Sequence, residues 1–234
     1  MEAIYHRFAR IDPRFYDDPG RALVAAAERY ALPPDLDWAG WASREDGTWH
    51  AWYPPDGSLP EQGWKIHASA RLEVANDVLE QVARYCHAER IAFKHLVHRG
   101  VHFAMNSKDA ERSASGKFIT VYPRDVTELR RTLAELDAAI GGMPGPHVLS
   151  DLRWRHGPLS VRYGAFVHQV ITGEHGFEVT ALRDPDGLLV EDVRSPGFTP
   201  PAWVELPDFL QQQLDTLGGE TPPAGFPRVL GALH

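Results

Sequence analysis

Between positions 63 and 96 the apolar residues change their period twice, and no other feature of the chain restricts its fold as much. The run Trp64-Lys-Ile-His-Ala-Ser-Ala70 alternates apolar and polar side chains, which is the period of a strand. Leu72, Val78, Leu79, Val82 and Cys86 then recur at helical spacing, and Ile91 to Leu96 reads as a second, shorter strand. A chain that passes from strand to helix and back needs a sheet with a helix laid on it. Further on, Lys117 to Tyr122 has the β-branched and aromatic content of a strand. Asp125 opens a helix, with Glu128 three residues on and Leu129, Leu133, Leu136 and Ile140 along one face, and Gly141-Gly142 stops it. Ser160 to Arg194 reads as a meander of strands with a turn at Asp184-Pro185-Asp186-Gly187, and Pro207 to Leu217 as one more helix. The expected class is α+β, a single domain with a mixed or antiparallel sheet flanked by helices.

The first 62 residues differ in character. They are rich in proline and tryptophan, with a helix expected over Ala22 to Tyr30 and Trp38, Trp41, Trp49 and Trp52 placed around a Glu45-Asp46-Gly47 turn. This segment is expected as a cap or lid on a core spanning residues 63 to 234. Two readings of the tryptophans stay open: a hydrophobic cluster under the segment, or the wall of a groove for a peptide.

Composition narrows the function. With 234 residues, 43% of them hydrophobic, the chain has material for a sizeable core. Its net charge of -8 argues against a general nucleic-acid binder, so any anion site has to be a local cluster of cations. Cys86 is the single cysteine, which excludes a disulfide framework and fits a reducing, cytoplasmic setting. No stretch approaches the roughly 20 apolar residues that span a bilayer, and Met1 to Arg10 lacks the apolar core of a secretion signal, so neither membrane nor export is expected.

The usual catalytic signatures are missing: there is no His-Glu-x-x-His, no Gly-x-Ser-x-Gly, no phosphate loop and no dinucleotide fingerprint. What stands out is lysine or arginine inside strand-like apolar runs, at Lys65, Lys94, Lys117 and Arg162. A cation so placed carries a desolvation cost that a bound anion offsets. Strand alternation puts Lys65 and His67 on one side and Trp64 and Ile66 on the other. An edge strand with a solvated polar face is the plainer alternative. The same alternation sets Lys117 opposite Tyr122, so both share a site only if a bulge intervenes.

The ordered runs Gly63-Trp-Lys-Ile-His-Ala-Ser-Ala70, Phe93-Lys94, Asn106-Ser-Lys108, Ser115-Gly-Lys-Phe-Ile-Thr-Val-Tyr-Pro123, Ser150-Asp151 and Arg162-Tyr-Gly-Ala-Phe166 resemble the N-terminal lyase domain of class III and class IV lanthipeptide synthetases. The resemblance is strongest from residue 63 to 207, including Asp192 to Trp203, and weakest over the first 40 residues. It is also similar to the phosphothreonine lyases that bacterial pathogens inject into host cells. The resemblance implies a phosphoserine/phosphothreonine lyase that eliminates phosphate from a phosphorylated precursor peptide, leaving dehydroalanine or dehydrobutyrine. It implies Lys94 as general base, His67 as general acid with Lys65 beside it, and Tyr122 in the active site. Arg112, Lys117 and Arg162 are implied for the phosphate, with Arg155 or Arg153 as a looser second arginine. Kinase and cyclase domains of the same synthetase are the implied partners, and Pro227 to His234 resembles the approach to a kinase glycine-rich loop, so the chain is expected to be an excised lyase domain.

The chemistry needs these residue types together. A lysine is a base only when neutral, so its reference pKa of about 10.4 must fall, as burial beside other cations achieves. Fixed guanidinium and ammonium groups favour the departing phosphate more as its charge grows. No metal and no organic cofactor is required, and His95 and His98 read as incidental rather than as metal ligands. A noncatalytic phosphopeptide or leader-peptide binding module, and a phosphopeptide phosphatase, remain as alternatives.

Overall fold

A computed structural model describes residues 28–55, 57–107, 115–173, 176–193 and 197–219. Seven strands form one sheet: β1 (Ala42–Glu45), β2 (Trp49–Tyr53), β3 (Gln62–Ala68), β4 (Ala92–Leu96), β5 (Ile119–Tyr122), β6 (Leu152–Arg153) and β7 (Leu159–Ala165), in the order β1-β2-β4-β5-β3-β7-β6. Three more, β8 (Val170–Thr172), β9 (Glu178–Arg183) and β10 (Leu189–Glu191), form a second sheet in the order β10-β9-β8. The helices are α1 (Ala75–Glu89), α2 (Arg99–Met105), α3 (Val126–Ile140) and α4 (Asp208–Gly219). The class is α+β as expected, and every strand pairing in both sheets is antiparallel.

Alternation gives the large sheet one dry face and one polar face. Trp64, Ile66, Phe93, Ile119, Val121 and Val161 point to the dry face, where α1 and α3 cover them with Val78, Leu79, Val82, Cys86, Leu129, Leu133, Leu136 and Ile140. At about 25 cal/mol per Å² of apolar surface, this layer is the main source of stability. Cys86 lies in it, and burial pushes its thiol well above the ordinary value. Helix α3 starts where Asp125 accepts a hydrogen bond from the Glu128 backbone N–H at 2.8 Å, the expected cap, and runs to Ile140 before the two glycines.

The expected cap segment supplies β1 and β2 to the sheet itself. Its turn forms as read: Oδ1 of Asp46 accepts from the N–H groups of Thr48 and Trp49, and Gly47 takes φ +84°, a conformation that costs a glycine little. Trp38, Trp41 and Trp52 gather on the helix side with His87 and Phe93, whereas Trp49 faces the other way. The helix expected over Ala22 to Tyr30 lies outside the described residues except for its last three, where Arg29 forms an isolated antiparallel bridge with His98. Pro227 to His234 lies outside them as well.

Candidate active site

One row of side chains crosses all seven strands on the polar face. Cross-strand partners of an antiparallel pair project to the same side. The register aligns Arg44, Ala51, Lys94, Thr120, His67, Ser160 and Arg153 in turn, one from each strand. Two residues along, Tyr122 is level with Ala92, and Lys65 with Arg162. Lys65, His67, Lys94, Tyr122 and Arg162 therefore share a face, although they are spread over nearly 100 positions of sequence. β4 and β3 lie two strand spacings apart, about 10 Å, with β5 between them.

Above this face opens a cleft of about 420 Å³ whose lining includes Lys65, Lys94, Tyr122, Trp49, Arg44 and Asp192. Nζ of Lys94 stands 4.4 Å from the centre of the Trp49 ring, a cation–π contact. Nζ of Lys65 donates to the Ala165 carbonyl at 3.1 Å. Gly164 makes room for it, since a Cβ there would stand 2.8 Å from that nitrogen. Tyr122 is buried and packs edge-on against Phe166, ring centres 5.1 Å apart. Burial, aided by the nearby Tyr53 and Asp46, pushes its phenol far above the ordinary range, so it stays protonated.

His67 projects from the same face but is buried and does not line the cleft. Its Nδ1 donates a short hydrogen bond to Oδ2 of Asp151, and Ser150 and Ser160 also donate to that carboxylate, at 2.8 and 3.4 Å. Nζ of Lys117 lies 3.8 Å from the other Asp151 oxygen. Burial pushes the imidazole down to about 3, with Lys117 and Lys65 acting the same way and Asp151 opposing them. Burial alone would raise Asp151; the His67, Lys117 and Ser150 contacts outweigh it and hold the carboxyl below its usual range. The pair is thus a neutral imidazole on an ionised carboxylate, which leaves Nε2 as the nitrogen that can exchange a proton.

Arg162 is buried beside β3. Its Nη2 donates to Oδ1 of Asp192 at 2.6 Å, while its Nε has no hydrogen-bond partner among the described residues. A buried guanidinium N–H without an acceptor is costly in a finished core and reasonable in a site awaiting an oxyanion.

Two expectations need correction. Lys117 precedes β5, which starts only at Ile119, so strand alternation does not reach it; no bulge is required, and it joins the His67 side through Asp151. Arg155 does not join the cleft. It takes φ 50° in the turn between β6 and β7, is exposed, and Nη1 pairs with Asp137 of α3 at 2.7 Å. Arg153 is the one on the polar face, level with Ser160. Arg112 and Lys108 lie outside the described residues. The sequence reading assigned no role to Asp151 or Asp192; Ser150-Asp151 was visible as a motif, but nothing in it foretold the contact with His67.

Residues 29–219 match the family described as RamC, N-terminal domain. The chain belongs to this family. A curated relative, the probable SapB synthase of Streptomyces coelicolor, is 44% identical over 234 residues, an alignment covering 98% of this chain and 25% of the relative. This RamC-family domain thus spans about a quarter of that relative's length, and the family resemblance drawn from the ordered motifs is borne out. Among solved structures, the domain is similar to the VirA (SpvC) phosphothreonine lyase effector of Chromobacterium violaceum, at 16% identity and TM-score 0.42 over 68% of this chain and 81% of that one. It is also similar to the OspF effector/phosphothreonine lyase of Shigella flexneri, at 14% identity and TM-score 0.42 over 70% and 92%.

Proposed function

We propose that this cleft is a phosphoserine/phosphothreonine lyase site that removes phosphate from a phosphorylated precursor peptide by β-elimination. The observation that carries the reading is the convergence of Lys94, His67, Lys65, Tyr122 and Arg162 from four strands onto one polar face beside a cleft. Unrelated surface cations would scatter around the molecule. Family membership supports the same reading.

In this mechanism Lys94, neutral, takes the α-proton of the phosphorylated residue. The electrons of the Cα–H bond form the Cα=Cβ double bond, and the Cβ–O bond breaks with its pair going to the phosphate oxygen. Arg162, Lys65 and Lys117 favour the charge gathering on that group, and the planar guanidinium suits two of its oxygens. His67 gives a proton from Nε2 to the bridging oxygen, with Asp151 on Nδ1 fixing the ring's tautomer and orientation. In the empty cleft His67 is neutral, and the entering phosphate, with a charge of about -1.5 to -2, favours the protonated imidazole. Tyr122, held as the phenol, donates a hydrogen bond to the substrate. The products are a dehydroamino acid and phosphate, with no metal or organic cofactor in any step.

The finer parts of the reading are of the same kind. The domain acts beside kinase and cyclase domains of a larger cytoplasmic synthetase, and Arg112 completes the phosphate contacts. The direct test is thiol trapping: a phosphoserine peptide is incubated with the domain and then with a small thiol. A dehydroamino acid adds the thiol, so a thioether at the former phosphoserine is the expected product. Free phosphate without an adduct means hydrolysis, and an unchanged peptide means binding alone; either result rejects the lyase reading.

A further inference from the structure

The cleft already holds an anion of its own. Oδ1 of Asp192 accepts from Nη2 of Arg162 at 2.6 Å, with the two side chains only 4% and 8% exposed. The other carboxylate oxygen and Nζ of Lys65 both border the space above Gly164, at 3.8 and 2.8 Å from the point a Cβ would occupy. Asp192 comes from outside the main sheet. It follows β10 directly, and its N–H donates to the Thr180 carbonyl of β9 at 2.8 Å. The small sheet meets the large one partly through polar contacts, Gln62 with the Arg183 backbone and Glu61 with Arg183 and Gln169. Such contacts are easier to rearrange than a packed apolar seam.

A buried guanidinium has to be paired at every stage, because leaving it alone is far more costly than exchanging one anion for another. We propose that Asp192 is a stand-in for the phosphate: it neutralises Arg162 in the empty cleft, yields it to the incoming phosphoryl group, and takes it back when inorganic phosphate leaves. Two anions do not share one guanidinium without repulsion, so the carboxylate weakens the hold on phosphate and hastens product release. This inference rests on the cleft being a phosphate site, and adds to that reading how the site is occupied without substrate.

The test is calorimetric titration of inorganic phosphate into the wild-type domain and into Asp192→Asn, at one pH and ionic strength. Asparagine still accepts from Nη2 but carries no charge. The expected result is that the variant binds phosphate at least about tenfold more tightly, a difference of about 1.4 kcal/mol. Equal or weaker binding by the folded variant overturns the proposal and makes Asp192 an ordinary brace for Arg162. Should the variant fail to fold, hydrogen exchange on the wild type decides: saturating phosphate speeds exchange at residues 189–193 if Asp192 is displaced, and unchanged or slower exchange contradicts it. Tighter phosphate binding by the variant without elimination by the wild type rejects the lyase reading alone, whereas no phosphate binding by either protein rejects both.

Discussion

Lys94 and His67 are level with the same residue of β5, Thr120, so the proposed base and the proposed acid flank one strand. Each carries its own prediction. Lys94→Arg keeps a long basic side chain but one that stays protonated and cannot accept a proton, so elimination falls by about 10²- to 10⁴-fold while phosphopeptide affinity stays close to wild type. Single-turnover kinetics with a binding measurement check this, and wild-type-like turnover would remove Lys94 from the mechanism. His67→Asn slows elimination of phosphate much more than elimination from an analogue whose leaving group needs no proton. Equal losses on both substrates would make His67 a positioning residue only. Gly164→Ala tests the room left for Lys65: the new methyl group displaces a flexible amine rather than backbone, so stability changes by under about 1 kcal/mol while phosphate affinity drops. Unaltered phosphate affinity would show that Lys65 holds nothing in the cleft.

The elements do their work through register and caps. Asp125→Ala removes the side-chain acceptor at the start of α3, which backs the strand carrying Lys65; a loss of about 1 kcal/mol in denaturant unfolding is expected, and no loss would deny the cap its role. Much of this level was legible beforehand. Alternation located β3, a short apolar run located β4, helical spacing located α1 and α3, and Asp-Gly turn chemistry located the β1–β2 and β9–β10 connections. Helix α2 was not legible, because Arg99–Met105 is seven residues long, too short to show a period, and His98 supplies no side-chain cap. The row of seven side chains across the sheet was equally hidden, since strand order and register are tertiary facts. Lys65, His67 and Lys94 were recognisable as cations or imidazole set in apolar runs. Asp151 and Asp192 were not, because a carboxylate's role depends on a partner 84 or 30 positions away. Arg155 misled for the complementary reason: proximity to the motif in sequence said nothing about a turn that directs it toward α3.

Across the whole molecule the buried histidines couple stability to pH. Burial holds His95 and His102 each to about 4, and His67 to about 3, against about 6.5 in an unfolded chain. Between those values the unfolded state binds protons that the native state refuses. The stability from these groups is therefore complete above about pH 6.5 and is lost as pH falls toward 4, at up to about 1.4 kcal/mol per pH unit for each. Thermal unfolding between pH 7.5 and 4.5 checks it: the midpoint falls steadily on acidification, and a flat profile would mean that the imidazoles are not neutral in the fold. If Lys94 takes the α-proton and His67 protonates the leaving oxygen, the peptide loses its phosphate together with the bridging oxygen. Intact-mass spectrometry of a phosphopeptide after incubation with the domain measures this: a peptide lighter by one phosphoric acid is expected, and a peptide lighter by the phosphoryl group alone, with serine restored, would overturn the elimination mechanism.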